Sequence, residues 1–246
     1  MGRAAHAHNC SMGIFMLKQS LSDSWSFFKN HIVAISIIIL PIVVPVDIFA
    51  AIYQYFLAGD EFVLTEQLLP MVVGLIAYPI YSVGVVFYIA SIISGEHLDT
   101  KSLWKLGAQF WLPYIILTIL VTMAVILGFI LLVIPGLILA SRYAFSEFDL
   151  LFNQSRPLDA MRSSWNSTKE YMWVILGGYA VITLCLYAPY YAVASLFDES
   201  SVSYLALNTL SNIAYSVLWA LYTIFAFRVY AFSKLQSSQS LNQDAP

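Results

Sequence analysis

Ile134-Pro135-Gly136 opens the stretch that decides this chain. An apolar run interrupted by Arg142, Glu147 and Asp149 leads to Phe152, then comes Arg156-Pro157-Leu158-Asp159, and the stretch closes on Tyr171-Met172-Trp173. A Pro-Gly pair does not continue a helix, so it is expected to end one membrane crossing and turn the chain straight into the next. The run that follows carries three ionisable side chains. Charge is expensive inside a bilayer, so such residues mark a functional or structural site.

Composition agrees with a membrane reading. Of 246 residues 60% are hydrophobic and 10% charged, and the mean hydropathy is +0.78, whereas soluble domains carry about a quarter charged residues. The net charge of −3 comes with no basic patch of the density that phosphate backbones require, which excludes nucleic acid as a partner. Two cysteines, Cys10 and Cys185, give no disulfide framework.

Outward from the central stretch, apolar runs of about the 20 residues needed to span occur at 32–57, 68–93, 110–134, 171–197 and 204–232, with a shorter, charged run at 136–152. These predict an all-α fold, a polytopic bundle of six transmembrane helices arranged as three hairpins. Ahead of the first crossing, Leu17, Leu21, Trp25 and Phe28 recur at helical spacing opposite Lys18, Ser22, Ser26 and Lys29, the pattern of an amphipathic helix in the interface plane. The same unit precedes the fifth crossing. Trp25-x-x-x-Lys29 matches Trp165-x-x-x-Lys169, and Leu158, Met161, Trp165 and Met172 are expected to share a face. A looser third copy has Leu103, Leu106 and Phe110 beside Lys101 and Lys105. Three cytoplasmic interfacial helices leading three hairpins is the resulting architecture.

Charge sets the orientation. Asp60, Glu61, Glu66, Asp198 and Glu199 fall in loops without Lys or Arg, while Lys18, Lys29, Lys101, Lys105, Arg156, Arg162, Lys169 and Lys234 all fall on the opposite side. The positive-inside rule then puts both termini in the cytoplasm of a bacterial inner-membrane protein. The aromatics Trp104, Trp111, Trp165 and Trp173 read as a belt on that side, with Tyr53, Tyr55, Tyr190 and Tyr191 as a belt on the other. Residues 1–15 show no periodicity and are expected to be a disordered extension ahead of Met16, 16–235 the membrane domain, and 236–246 a disordered tail.

The candidate intramembrane polar site comprises Asp47, Arg142, Glu147, Asp149, Asn208, Asn212 and Arg228. At 1.5 Å per residue, Asp47 and Arg142 lie roughly 15 Å and 10 Å below the same boundary, so they are expected to pair. Glu147 and Asp149 are better placed for Arg228. No GxSxG, HExxH, P-loop or GxGxxG occurs, so no enzyme, cofactor or metal is expected.

Several of these residues also carry a family resemblance. Val133-Ile134-Pro135-Gly136, Ala160-Met161-Arg162-Ser163-Ser164, Asn208-Thr209-Leu210-Ser211-Asn212 and Phe227-Arg228-Val229-Tyr230 together resemble the YciC-type family of bacterial inner-membrane proteins, over residues 16–235. More distantly, the Ile134-to-Trp165 pattern is similar to the membrane domain attached to some glycerophosphodiester phosphodiesterases. The resemblance implies a six-span inner-membrane protein of uncharacterised activity. Two functional classes follow: a membrane factor that organises lipids or partner membrane proteins, favoured by the interfacial helices, and a transporter or channel for a small solute or lipid, favoured by Asp47, Arg142 and the proline-interrupted crossings.

Overall fold

A computed structural model describes residues 2–56, 64–195 and 202–243. They form α1 (Gly2–Phe56), α2 (Leu64–Ser94), α3 (Thr100–Gln109), α4 (Trp111–Leu131), α5 (Val133–Arg142), α6 (Ser146–Asn153), α7 (Pro157–Ser167), α8 (Met172–Ala194), α9 (Val202–Leu218) and α10 (Ala220–Gln243). Among the described residues five stretches are long and apolar enough to cross a membrane: Phe15–Phe56, Leu68–Ser94, Trp111–Leu131, Met172–Ala194 and Ala206–Gln236. The acids Asp60, Glu61, Asp198 and Glu199, and the side chain of Glu66, on which the expected orientation turns, lie outside the described residues.

The chain forms two compact units. The first comprises Met1–Lys29, Ile116–Ile182 and Leu221–Pro246, the second Asn30–Ile115 and Thr183–Ala220. In the second unit, Ile35, Ile38, Ile39, Val83, Val86, Ile89 and Leu103 make an almost fully buried aliphatic core. Helix α3 packs on α2 at Gly107, where a Cβ would stand 2.2 Å from the Ile80 carbonyl oxygen. Only glycine lets the two backbones approach so closely.

Three crossings of this unit contain internal prolines, Pro41 and Pro45, Pro70 and Pro79, and Pro189, and at one proline in each the opened turn is repaired in the same way. Proline lacks an N–H, and its ring displaces the carbonyl four residues back, so the turn opens and nearby carbonyls lose good helical partners. Hydrocarbon offers no water to replace them. Trp104 Nε1 donates to the Ile38 carbonyl at 3.0 Å, three residues before Pro41. Trp111 Nε1 donates to the Ile76 carbonyl at 2.8 Å, three before Pro79. The Tyr215 hydroxyl donates to the Leu186 carbonyl at 2.9 Å, three before Pro189. Trp104 and Trp111 thus do a specific job beyond that of the interfacial belt.

In the first unit, Phe28, Phe145, Phe148, Ile175, Ile224 and Phe225 are almost completely buried. The Pro-Gly turn differs from its expectation. Helix α4 ends at Leu131 and α5 starts at Val133, so Pro135 and Gly136 sit inside the first turn of α5. Proline is tolerated there because a first-turn N–H has no intrahelical acceptor to lose. Gly136 serves the packing: a Cβ on it would stand 2.5 Å from the Phe129 ring, and one on Gly128 would meet the Gly136 Cα at 2.9 Å.

Two expected elements are also redrawn. Residues 136–152 are not one continuous helix: the run is split into α5 and α6 at Tyr143–Phe145. At about 15 Å and 12 Å, neither helix reaches across the roughly 30 Å of hydrocarbon. The separation expected between an interfacial helix at 17–30 and the first crossing is also absent. Helix α1 passes through Asn30 without a break, and its prolines come only at Pro41 and Pro45. By contrast, α3 ends at Phe110 and α7 at Thr168 before the next crossing starts.

Candidate functional site at the broken helix

The break between α5 and α6 is made by hydroxyl groups of α7. Ser164 Oγ donates to the Arg142 carbonyl at 2.7 Å and accepts the Phe145 N–H at 3.1 Å. Thr168 Oγ1 bonds the Ser164 carbonyl at 2.7 Å and shares its proton with the same Arg142 carbonyl at 3.0 Å. These bonds give the backbone an alternative to the next helical turn, which is how Ser and Thr end helices. Ala160, Ser164 and Thr168 recur every fourth residue, all with 0% exposure. This narrow stripe is the face that α7 docks. The expected Leu158–Trp165 face points the other way, with Leu158 67% and Trp165 37% exposed.

Beyond the break, the first turn of α6 carries Glu147 and Asp149, where acids complement the positive end of the helix dipole. Glu147 is half-buried, whereas Asp149 has 0% exposure. Asp149 Oδ1 accepts from Tyr230 OH at 3.1 Å, Asn153 Nδ2 at 3.1 Å and Lys234 Nζ at 3.3 Å. Oδ2 is buried without a hydrogen-bond partner. Around it Phe148 stacks against Phe152, Phe227 and Tyr230 at centroid distances of 6.4, 5.4 and 5.1 Å. A carboxylate so enclosed depends on the Lys234 charge and on its donors.

Asp149 therefore does not pair with Arg228, as expected from sequence. Lys234 takes that place because, four residues after Tyr230, it shares the face of α10 that meets α6. The Arg228 guanidinium lies 5.8 Å from the Phe27 ring instead. The remaining candidates divide between the units. In the first, Arg142 lies 4.5 Å from the Trp165 ring centroid, and Lys29, which the sequence puts on the side opposite Trp25, lies 5.8 Å from the Trp25 centroid. Trp165 therefore takes its cation from α5, and Lys169 is exposed in the turn after α7. In the second, Asp47 Oδ2 is buried with no hydrogen-bond partner among the described residues. Asn208 Oδ1 accepts from Tyr190 OH at 3.2 Å, while Asn212 is exposed. The two asparagines thus do not form one polar path.

Ser164, Thr168, Tyr230 and Lys234 are absent from the sequence-derived site. Their signal was present in part: small polar residues at four-residue spacing on a short amphipathic helix, and an aromatic–Lys pair one turn apart near the end of a crossing. Among the described residues no group of three or more His, Cys, Asp or Glu side chains is placed to hold a metal ion.

Residues 46–232 match the Uncharacterised protein family (UPF0259). The chain belongs to that family. This agrees with the YciC-type resemblance, and the match includes the whole broken helix and α7. UPF0259 membrane proteins of Buchnera aphidicola subsp. Acyrthosiphon pisum, from strains Tuc7, 5A and APS, are each 30% identical to it over 121 residues, 49% of this chain and 48% of the relative. The chain spans about half the length of the curated relatives it matches. No solved structure matches. This UPF0259 member is an integral membrane protein by its relatives and its apolar helices.

Proposed function

We propose that this chain is a multi-pass protein of the bacterial inner membrane, with both termini cytoplasmic, that organises lipids or partner membrane proteins through its interfacial helices and carries out no chemistry of its own. The observation that carries this reading is the face α7 leaves uncovered. Its small residues dock inward, and Leu158, Trp165 and, at the start of α8, Trp173 at 71% exposure are left outside. Amphipathic indoles beside basic residues suit the headgroup boundary. The polar residues that a transport path would need are in part committed elsewhere: Asp149 to Tyr230 and Lys234, and Asn208 to Tyr190.

The transporter reading keeps one favourable observation. In the second unit a cavity of about 420 Å³ lies between α8 and α9, lined by Cys185, Tyr190, Ser211 and Tyr215 among apolar side chains. Flux of solute and of labelled lipid through vesicles containing the purified full chain separates the two. The organising role expects no flux from wild type or from Arg142→Ala. Flux in wild type that Arg142→Ala abolishes decides for transport.

A further inference from the structure

We propose that Arg142, Arg162 and Trp165 form a recognition site for the phosphate of an anionic phospholipid headgroup. This inference rests on the reading of α7 as a lipid-facing helix and gives that helix a ligand class. Its starting point is Arg142. The guanidinium is half-buried and stacked 4.5 Å from the Trp165 centroid, yet among the described residues no hydrogen-bond acceptor or carboxylate meets it. A planar guanidinium has five donors in a fixed fork that suits phosphate oxygens, and stacking on an indole holds that fork in place while leaving its edge free. The arginine is pre-oriented, and the described residues supply no protein anion for it.

Arg162 supplies the second cation. It lies one turn before Trp165 and four residues after Leu158, so the three share the outward face of α7, and Arg162 is exposed. Leu158 and Trp173, at 67% and 71% exposure, give the acyl chains of the same lipid an apolar surface on either side of the charges. The acids nearest in the chain besides the paired Asp149 are Glu147, half-buried in the first turn of α6, Asp159 and Glu170. Asp159 belongs to the first turn of α7, where it complements the helix N-terminus, and Glu170 lies in the turn beyond Thr168. Because Ser164 and Thr168 bind the Arg142 carbonyl and not its side chain, the guanidinium can be replaced without dismantling the break.

Native mass spectrometry of the full chain in detergent, titrated with phosphatidylglycerol, phosphatidylcholine or inorganic phosphate, tests this. Phosphatidylglycerol should be retained about five-fold more than phosphatidylcholine, from roughly one surface cation's worth of attraction. Arg142→Gln and Arg162→Gln should each remove most of that preference, and Arg142→Lys should restore it only in part, because an ammonium has no fork. Arg156→Gln, as a control, should leave it intact. Thermal unfolding without added lipid should be the same for wild type and Arg142→Gln, which separates lost recognition from lost folding. Equal retention of both lipids by wild type, an unchanged preference in Arg142→Gln, or binding of inorganic phosphate in place of lipid overturns the site. None of these outcomes requires solute flux, so the site can fail while the organising role stands. Flux in wild type would sink that role directly.

Discussion

Replacing Ser164 by alanine should damage the fold more than any other loss of a single hydroxyl in the first unit. The Ser164 hydroxyl is fully buried and serves both sides of the break, donating to the Arg142 carbonyl at 2.7 Å and accepting the Phe145 N–H at 3.1 Å. In Ser164→Ala the Arg142 carbonyl keeps Thr168 Oγ1 at 3.0 Å, but the Phe145 N–H is left buried and unpaired. An orphaned buried donor costs about 1–3 kcal/mol. At about 2–4 °C per kcal/mol for a chain of this size, a central value of about 2 kcal/mol lowers Tm by roughly 4–8 °C. Thr168→Val keeps its shape and leaves the carbonyl with Ser164, so it should cost about 1 kcal/mol or less. The double variant strips both partners from one carbonyl and should cost about 1 kcal/mol more than the sum of the singles. Thermal unfolding of the purified full chain in detergent gives all three values. Additivity, or a larger loss in Thr168→Val than in Ser164→Ala, would refute the shared-carbonyl account.

Trp104→Phe removes the indole donor from the Ile38 carbonyl while keeping an aromatic body, so stability should fall by about 1–2 kcal/mol. Trp173→Phe, an exposed indole, should change it by less than about 0.5 kcal/mol in the same assay. Gly178→Ala should abolish folding or lower Tm sharply, since the new Cβ would stand 2.0 Å from the Phe225 ring and overpacking of this kind costs about 1–3 kcal/mol or more. Asp149→Asn keeps an acceptor for Tyr230 and loses only the pairing with Lys234, whose side chain is 45% exposed, so it should cost about 1 kcal/mol or less. Asp149→Ala orphans the buried Tyr230 hydroxyl and should cost at least twice as much by denaturant unfolding; equal losses would show that the charge, not the hydrogen bonding, matters there.

Membrane class and five of the six apolar runs were legible in the sequence because they depend on length and hydropathy alone, which a one-dimensional pattern carries in full. The break inside the run at 136–152 was not legible, for a physical reason. Its split depends on Ser164 and Thr168, some twenty residues downstream, whose hydroxyls offer the backbone at Arg142 and Phe145 better partners than the next helical turn does. The Asp149 partnership failed in a similar way. Depth along a crossing placed Arg228 and Lys234 within one or two turns of each other but did not say which face of α10 met α6. Tyr230 and Lys234 sit on the facing side, while Arg228 lies by Phe27. Trp25 and Trp165, matched in the sequence, take their cations from different places, Lys29 on the same helix and Arg142 on another. Spacing within one helix cannot reveal a partner supplied by a different one.

The prolines change the weight of the transport reading. Broken helices at transport sites work because proline and glycine leave backbone carbonyls free to coordinate a cation near the midplane. From sequence, the prolines of the first and second crossings, Pro41, Pro45 and Pro79, fit that description; Pro189 lies in the fifth. In the second unit the carbonyls three residues before Pro41, Pro79 and Pro189 are already taken, by the indoles of Trp104 and Trp111 and the hydroxyl of Tyr215. An indole N–H is donor only, so the first two sites cannot exchange their role for cation binding without expelling a tryptophan. At these three prolines neighbouring aromatics tie one helix to another, the arrangement expected where proline shapes a membrane scaffold.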